Sequence, residues 1–192
     1  MNNSFIEAFN RFKFLKIQDL SAIFRFSSFK SFKKGEIIAR EGHYCEHVFM
    51  IRKGIIRTYI LTPDAEEKTI KLAKEKGFTA CANSFLYQKP STEYLEAIED
   101  CKVFAFNIKK INEAASSNIR IMRLLHESLK EAMAEAVERV EFFTILSPEQ
   151  RYERLLEESP DLIQRVPQKF LASYIGVTTV SLSRIRNRII SK

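Results

Sequence analysis

Cysteine is scarce in this sequence and tryptophan is absent. The three cysteines, Cys45, Cys81 and Cys101, are far apart and odd in number. A disulfide framework needs paired cysteines in an oxidising compartment, so this pattern is more typical of reduced thiols in a cytosolic protein. An iron–sulfur cluster usually takes more cysteine ligands than the chain contains, which argues against that cofactor.

Long apolar runs are also missing. Residues 1–20 carry charges among their apolar positions and lack an uninterrupted apolar segment followed by small residues, which argues against a signal peptide. No other stretch approaches the roughly 18 uncharged apolar residues of a membrane-spanning helix. These absences predict a cytoplasmic protein with no membrane partner.

The overall composition is that of a folded protein. Hydrophobic residues make up 45% of the 192 positions, and there are 16 Phe and 6 Tyr, whereas disordered chains contain few aromatics. The length suits either one large domain or two small ones.

Acidic residues are missing from the C-terminal end. The net charge is +7, and residues 165–192 contain no Asp or Glu. A basic block without acids on a folded element is typical of phosphate binding, although a solubilising surface has the same composition. The basic residues of this block are Arg165, Lys169, Arg184, Arg186, Arg188 and Lys192.

The N-terminal half shows two different patterns. Residues 5–29 have apolar spacing that predicts helix, including Phe5 and Phe9. After Phe32, short runs rich in β-branched and aromatic residues are separated by glycine or by the turn segment TPDAEE. These runs predict the strands of an antiparallel β-roll, with glycines at the tight turns because glycine adopts positive φ without steric cost.

Glycine and proline then disappear between about residues 108 and 146. Apolar residues recur there at spacings of three and four, which predicts one long amphipathic helix. A helix of about 25 residues is nearly 40 Å long, more than a small domain needs, so we expect it to pair with a second copy. Packing within the monomer is the alternative. The predicted dimer interface consists of Leu125, Leu129, Ala132, Ala136 and Val140.

A new unit is predicted to begin at Ser147. Ser147 can cap a helix whose first residue is Pro148, the position that proline favours. Further on, the segment QKFLASYIGVTTVSLSRIRNRI predicts two helices, 168–174 and 179 to about 190, joined by a turn at Gly176. Thr178 is the expected N-cap of the second helix.

The spacing of the second helix predicts how it would contact DNA. Its apolar positions face the first helix, which leaves a polar face that fits the major groove. The predicted base contacts are Thr179, Val180, Ser183 and Arg184, of which arginine is the natural partner of guanine. The predicted contacts to the DNA backbone are Lys169, Ser181, Arg186, Asn187 and Arg188. An ordinary helical hairpin with a solvated basic face is the alternative.

Over nearly its whole length the chain resembles the Crp/Fnr family of bacterial transcription regulators. The similarity lies in KKGEIIAREG, VFMIRKGIIRTY and, most specifically, FLASYIGVTTVSLSRIRNRI. The resemblance implies an α+β fold with flanking helices around a cyclic-nucleotide-binding-like sensor domain (1–110), a long dimerisation helix (111–146) and a helix-turn-helix DNA-binding domain (147–192). It implies a homodimer that binds palindromic double-stranded DNA, with RNA polymerase as a further candidate partner.

The resemblance fails at the effector pocket. Family members that bind cyclic nucleotide have a ribose-binding Glu where this chain has Ala82, and an Arg-Ser-Ala segment where it has Ser91, Thr92 and Glu93. Loss of the arginine and gain of a carboxylate disfavour an anionic ligand, so cyclic AMP is not the expected effector. The tentative effector pocket comprises Phe78, Ala82, Ser91 and Thr92, and its ligand is unknown.

Two further differences concern DNA recognition. Well-known family members have an Arg-Glu pair where this chain has Thr179 and Val180, so the resemblance implies a different DNA site. The sequence ends at Lys192, which implies that the β-hairpin wing following the recognition helix in many members is lacking.

Other function classes have less support in the sequence. The segment EGHYCEH contains His43, Cys45, Glu46 and His47, but these lie on one predicted turn and are not expected to hold a metal. No nucleophile–base pair or phosphate-binding glycine loop is present, which argues against an enzyme. A ligand-sensing or partner-binding protein whose helix-turn-helix does not bind DNA is the alternative function.

Overall fold

The computed structural model describes residue 9 and residues 12–190, and its elements follow the α+β fold predicted from the sequence. The bounds are α1 Ile17–Arg25, β1 Ser27–Phe32, β2 Ile37–Ala39, β3 His47–Lys53, β4 Ile56–Leu61, β5 Glu67–Ala73, β6 Phe78–Thr79, α2 Ala82–Tyr87, β7 Tyr94–Ala97, β8 Cys101–Asn107, α3 Ile108–Ser117, α4 Ile119–Thr144, α5 Pro148–Glu158, α6 Pro160–Arg165, α7 Gln168–Ile175 and α8 Thr179–Ile190.

The strands form two antiparallel sheets that face each other as a roll. One sheet has the order β1-β8-β3-β6 and the other β2-β7-β4-β5. Alternate residues of each strand point inwards, and Phe49, Ile51, Leu95 and Val103 fill the space between the sheets. The predicted antiparallel roll is therefore confirmed.

One N-terminal prediction needs correction. The predicted helix over residues 5–29 ends at Arg25, and Ser27–Phe32 form strand β1, whose register pairs Phe29 with Phe104 of β8. The segment SSFKSF alternates polar and aromatic residues with period two, and pairing with β8 overrides the helical spacing that precedes it. Phe5, which belonged to the same prediction, lies outside the described residues.

The long helix predicted over 111–146 is broken at Asn118, and its main part has the predicted length of about 25 residues. Asn118 has an extended backbone, and its side-chain oxygen accepts hydrogen bonds from the backbone N–H groups of Arg120 (3.0 Å) and Ile121 (3.4 Å). It thereby caps a new helix, α4, and α3 ends one residue before it. The 26-residue α4 is still long enough to extend beyond the roll.

Asp19 ties α1 to the start of α4. It is 2% exposed, and its carboxylate accepts hydrogen bonds from Arg120 Nε (2.5 Å), Asn118 Nδ2 (2.7 Å) and the backbone of Lys16 (2.8 Å). The hydrogen bond from Arg120, against the opposing effect of burial and with help from Asn118 and Lys16, lowers the pKa of Asp19 from 3.8 to about 2.

This low pKa predicts a specific loss of stability in acid. A carboxylate whose pKa is lowered by folding contributes stability that is complete above about pH 4 and is lost as the pH falls towards 2. Chemical denaturation between pH 7 and pH 2 should therefore show a shallower acid loss in Asp19→Asn than in the wild type. Asp64→Asn, in the exposed turn between β4 and β5, is the control; equal acid slopes in all three proteins would contradict the prediction.

The remaining core joins the C-terminal helices to the roll. Ser147 accepts from Gln150 N (3.4 Å) while Gln150 Oε1 accepts from Ser147 N (2.9 Å), so the predicted helix cap is confirmed. Helices α5 to α8 then pack into one apolar cluster that also includes Ile55, Leu72 and Ile98 of the roll. The C-terminal helices are thus docked against the roll rather than tethered beside it.

Candidate nucleic-acid interface and effector position

The turn between α7 and α8 depends on a glycine. Gly176 ends α7 with φ of 74°, in the left-handed region that favours glycine. A Cβ at this position would lie 2.7 Å from Phe143 Cε1 and 2.9 Å from Arg151 Nη1. Thr178 Oγ1 accepts from Ser181 N at 3.1 Å, so Thr178 caps α8 as predicted. The predicted bounds of both helices agree with the structure to within one residue.

Two arginines that the sequence analysis missed hold the end of α7. Arg151 Nη1 donates to the carbonyl oxygen of Ile175 at 2.7 Å, and Arg139 Nη2 donates to that of Tyr174. The Arg139 guanidinium also lies 4.0 Å from the Tyr174 ring centroid. Because cations favour the C-terminal end of a helix, these contacts fix α7, and with it the turn, to α4 and α5.

Helix α8 has one buried and one exposed face. Leu182 and Ile185 are 0% and 3% exposed and pack against Leu171, Ala172 and Ile175 of α7. The four residues predicted to contact bases lie together on the opposite, exposed face: Thr179, Val180, Ser183 and Arg184. The large Val180 side chain is 59% exposed there.

The residues predicted to contact the DNA backbone have less uniform surroundings. Lys169 is exposed, with Nζ 4.5 Å from the Phe170 ring centroid, and Asn187 is also exposed. Ser181 and Arg186 are partly buried. Arg188 forms an ion pair with Glu149 at 3.2 Å, which offsets part of its charge.

Another basic residue of the acid-free block faces the roll. Arg165 donates to both carboxylate oxygens of Glu75, at 2.9 and 2.8 Å, and also to Glu99. Burial opposes ionisation of Glu75, but the bidentate contact with Arg165 and a hydrogen bond from Gly54 N outweigh it and lower the pKa of Glu75 to about 2. Arg165 therefore serves to dock the C-terminal helices.

Apolar side chains of α4 are exposed along one line. Four of the residues predicted for a dimer interface are exposed: Leu129 (45%), Val140 (65%), Ala132 and Ala136. The fifth, Leu125, is partly buried in the apolar cluster that includes Ile23 of α1 and Phe104 of β8. Three further apolar residues of α4, which the prediction did not include, are also exposed: Met122, Met133 and Val137. We call Leu129, Met133, Ala136, Val137 and Val140 the α4 seam.

Three of the four predicted effector-pocket residues lie together. Asn83 Nδ2, next to Ala82, donates to Thr92 Oγ1 at 3.2 Å, and Ser91, which is 2% exposed, donates from Oγ to the carbonyl oxygen of Glu93 at 2.8 Å. Phe78 does not join them. It packs on the outer side of the sheet, with its ring 5.9 Å from that of Phe9, because it sits on the outward-facing side of β6.

Glu93 lies between Ala82 and Ser91 and is hydrogen-bonded to both. Its carboxylate accepts from Ala82 N at 3.0 Å, at the start of α2. Burial raises the pKa of Glu93, and the hydrogen bond from Ala82 and the charge of Lys71 partly offset that effect. A backbone donor in the candidate effector position is thus already bonded to an acidic group of the protein itself.

Two other features are absent from the part of the chain that the structure describes. Within residue 9 and residues 12–190, His, Cys, Asp and Glu side chains form no group of three or more that could hold a metal ion. The helices of that same part of the chain include none with the length and apolar content needed to cross a membrane.

Comparisons with known proteins place the fold. Residues 29–118 match the family model described as the cyclic nucleotide-binding domain. A search of curated proteins gives no match. Solved structures are similar over most of the chain, but at sequence identities that establish the fold alone.

Three of these structures illustrate the similarity. FixK2 from Bradyrhizobium japonicum has a TM-score of 0.71 and 19% identity, covering 86% of this chain and 85% of its own. A structure assigned to the Crp/Fnr family of transcriptional regulators, from Eubacterium rectale, has a TM-score of 0.73 and 16% identity, covering 96% and 88%. The c-di-GMP-responsive global regulator CLP of Xanthomonas campestris has a TM-score of 0.71 and 13% identity, covering 92% of both chains. Residues 29–118 are therefore similar to the cyclic nucleotide-binding domain, and the overall fold is similar to that of solved structures that include a transcriptional regulator of the Crp/Fnr family.

Proposed function

We propose that the protein is a homodimeric, sequence-specific DNA-binding regulator whose helix-turn-helix is formed by α7 and α8. The observation that carries the proposal is the exposed face of α8, which has no acidic residue and includes Thr179, Val180 and Arg184. An α-helix presented in this way fits the major groove, with its N-terminal residues next to the base edges. Arg184 would donate to guanine, and Val180 would contact an apolar base group such as the thymine methyl.

The α4 seam supports the dimeric part of the proposal. Glu131 to Glu138 are all exposed, so this stretch of α4 has little burial within its own chain. Burying the apolar side chains of the seam against a second copy would remove them from water and relate the two α8 helices by a two-fold axis. Such a dimer recognises a palindromic site.

The arginines that form ion pairs within the protein determine how steeply DNA affinity should depend on salt. Arg165 is held by Glu75 and Glu99, and Arg188 by Glu149, so not every cation of residues 165–192 is available to phosphates. Each phosphate contact contributes to the dependence of affinity on salt. We therefore expect the affinity for DNA to fall with added salt. The fall should be less steep than if all six basic residues of 165–192 contacted phosphates.

Selection of bound sequences from a random DNA pool tests the function. The expected result is enrichment of a two-fold symmetric sequence with half-site centres about 10 base pairs apart. A pool without an enriched palindrome would overturn the proposal and favour the alternative, a sensing or partner-binding protein whose helix-turn-helix does not bind DNA.

Substitution of Arg184 tests its role as a base contact. If Arg184 donates to guanine, Arg184→Ala should weaken binding to the selected site by about 1–3 kcal/mol and relax the preference at one base pair of each half-site. Affinity for unrelated DNA should change little. Titrations of both DNAs by fluorescence anisotropy make the comparison, with Arg25→Ala, which removes an exposed arginine from α1, as the charge-matched control. An equal loss on both DNAs would mean that Arg184 contacts only phosphate.

We further propose that cyclic AMP is not the effector. The position that the Crp/Fnr resemblance assigns to a phosphate-binding arginine is held by the buried Ser91, and the Ala82 N–H is already bonded to Glu93. An anionic ligand would meet the Glu93 carboxylate there, and Lys71, whose charge acts on Glu93, is already paired with Glu135. Thermal denaturation should show no stabilisation by cyclic AMP, and a saturable rise of Tm would contradict this.

A further inference from the structure

Exposed side chains of α4 follow the spacing of a coiled coil. Between residues 119 and 143 they recur every three or four residues without interruption, so the a and d positions of successive heptads lie on one line along the helix. The a positions are Ile119, His126, Met133 and Val140, and the d positions are Met122, Leu129, Ala136 and Phe143. We call these eight residues the heptad line. All eight are exposed in the single chain, so the line extends the α4 seam to the start of the helix.

The heptad line fits a second copy of α4 that runs in the same direction. β-Branched residues at a, here Ile119 and Val140, with leucine at d favour a parallel pair of helices. An antiparallel copy would place His126 opposite Ala136, because the two lie equally far from the centre of the line, and the imidazole would there be buried without a polar partner. In a parallel pair related by a two-fold axis, each residue of the line instead faces its own copy.

His126 is the polar residue of the heptad line. Its side chain is 66% exposed, and its Nδ1 lies 3.8 Å from Glu127 Oε1. Glu127 also pairs with Lys130 at 3.0 Å, and the charge of Arg123 acts on the same carboxylate. Glu127 can therefore offset only part of a positive charge on His126. A second copy in parallel would bring the same three charged groups and a second imidazole.

We propose that α4 pairs in parallel with a second copy so that the two His126 side chains face each other, and that protonation of His126 weakens the dimer. The proposal rests on the dimer of the proposed function. Histidine changes its charge between about pH 8 and pH 5. Two neutral imidazoles can share a hydrogen bond, whereas two imidazolium ions repel each other and lose water of hydration on pairing. The dimer then binds fewer protons than two separate chains, so it loses stability as the pH falls.

Cross-linking of the full-length protein tests the arrangement. His126→Cys should form a disulfide with its own copy in oxidised glutathione, because a disulfide needs Cα atoms within about 7 Å of each other. Glu131→Cys is the matched control: it is exposed on the same helix but lies about 140° around it from residue 126, so it should not cross-link. The three native cysteines are buried and should contribute little background. A dimer that cross-links through residue 131 as readily as through residue 126 would overturn the arrangement.

Sedimentation equilibrium between pH 8 and pH 5.5 tests the effect of protonation. The dimer dissociation constant of the wild type should rise by about tenfold or more over this range, because two like charges meet in the interface. His126→Asn keeps a polar residue that does not titrate, so its dissociation constant should not change with pH. His43→Asn, in the exposed turn before β3, should behave like the wild type. Circular dichroism at each pH checks that the chains stay folded.

The outcomes separate this inference from the proposed function. A wild-type dimer whose dissociation constant does not change with pH, or changes equally in His126→Asn, would overturn the role of His126 and leave the dimer standing. A folded protein that is monomeric at every pH and gives no cross-link at residue 126 would instead overturn the dimeric part of the proposed function.

Discussion

Replacing Arg57 by alanine is expected to lower the free energy of unfolding by about 3–5 kcal/mol, because the substitution leaves the largely buried Glu96 carboxylate without its partner. Arg57 is 1% exposed in β4, and its Nη2 lies 2.5 Å from Glu67 and 2.6 Å from Glu96. Glu96 is itself only 15% exposed, so the solvent cannot replace the lost cation there. Urea denaturation at neutral pH measures the loss.

Arg57 also contributes by packing. Its guanidinium lies between two rings, 4.1 Å from the centroid of Tyr59 and 3.6 Å from that of Phe170. Since Phe170 belongs to α7, the substitution should loosen the docking of the C-terminal helices as well as the roll. Arg57→Met, which keeps much of the volume but removes the charge, separates the two contributions.

A surface ion pair provides the control for Arg57. Lys68 pairs with Glu66 at 2.7 Å, and both side chains are more than half exposed. Lys68→Ala should cost less than about 1 kcal/mol, since water screens exposed pairs. If Arg57→Ala costs no more than Lys68→Ala, the buried contact does not stabilise the fold.

If the protein dimerises along α4 as proposed, placing charge on the α4 seam is expected to disrupt the dimer. Met133 and Val140 are 69% and 65% exposed in the single chain and lie two helical turns apart, so both would be buried in a dimer formed along α4. In the Met133→Glu/Val140→Glu variant each new carboxylate would have to leave water without a partner. The dimer dissociation constant should rise by about 100-fold or more, an effect of about 3 kcal/mol.

Sedimentation velocity and DNA titration check this result together. The double variant should sediment as a folded monomer and lose affinity for the palindrome, because a single α8 contacts only one half-site. Glu131→Lys/Glu138→Lys is the matched control: each residue is exposed on the same helix and lies about 200° around it from Met133 or Val140, so this variant should remain dimeric. A double variant that stays dimeric would show that the seam is not the interface.

Local signals in the sequence were sufficient for several elements. The strands after Phe32 follow from period-two runs between turns, and the cap at Ser147 follows from a serine placed before a proline. Local reasoning failed at β1 and at Asn118. In β1, pairing with β8 decided the conformation, and at Asn118 one side chain satisfied two backbone donors and began a new helix.

The candidate effector position shows a second limit of prediction from sequence. Ala82, Ser91 and Thr92 were grouped through the family resemblance, and the hydrogen bonds around α2 do bring them together. Phe78 was placed with them as part of an apolar lining for a ligand. One residue along a strand reverses the face, and the side chain packs on the outside of the sheet instead.

By itself the sequence determined the α7–α8 unit and the exposed face of α8. These depend on short-range preferences: the positive φ of Gly176, the cap at Thr178, and an apolar spacing that buries Leu182 and Ile185. Only the tertiary structure decided that Arg57 and Arg165 dock the C-terminal helices on the roll. These contacts join residues that are tens of positions apart, and the role of a cation depends on burial and partners that only the folded chain brings together.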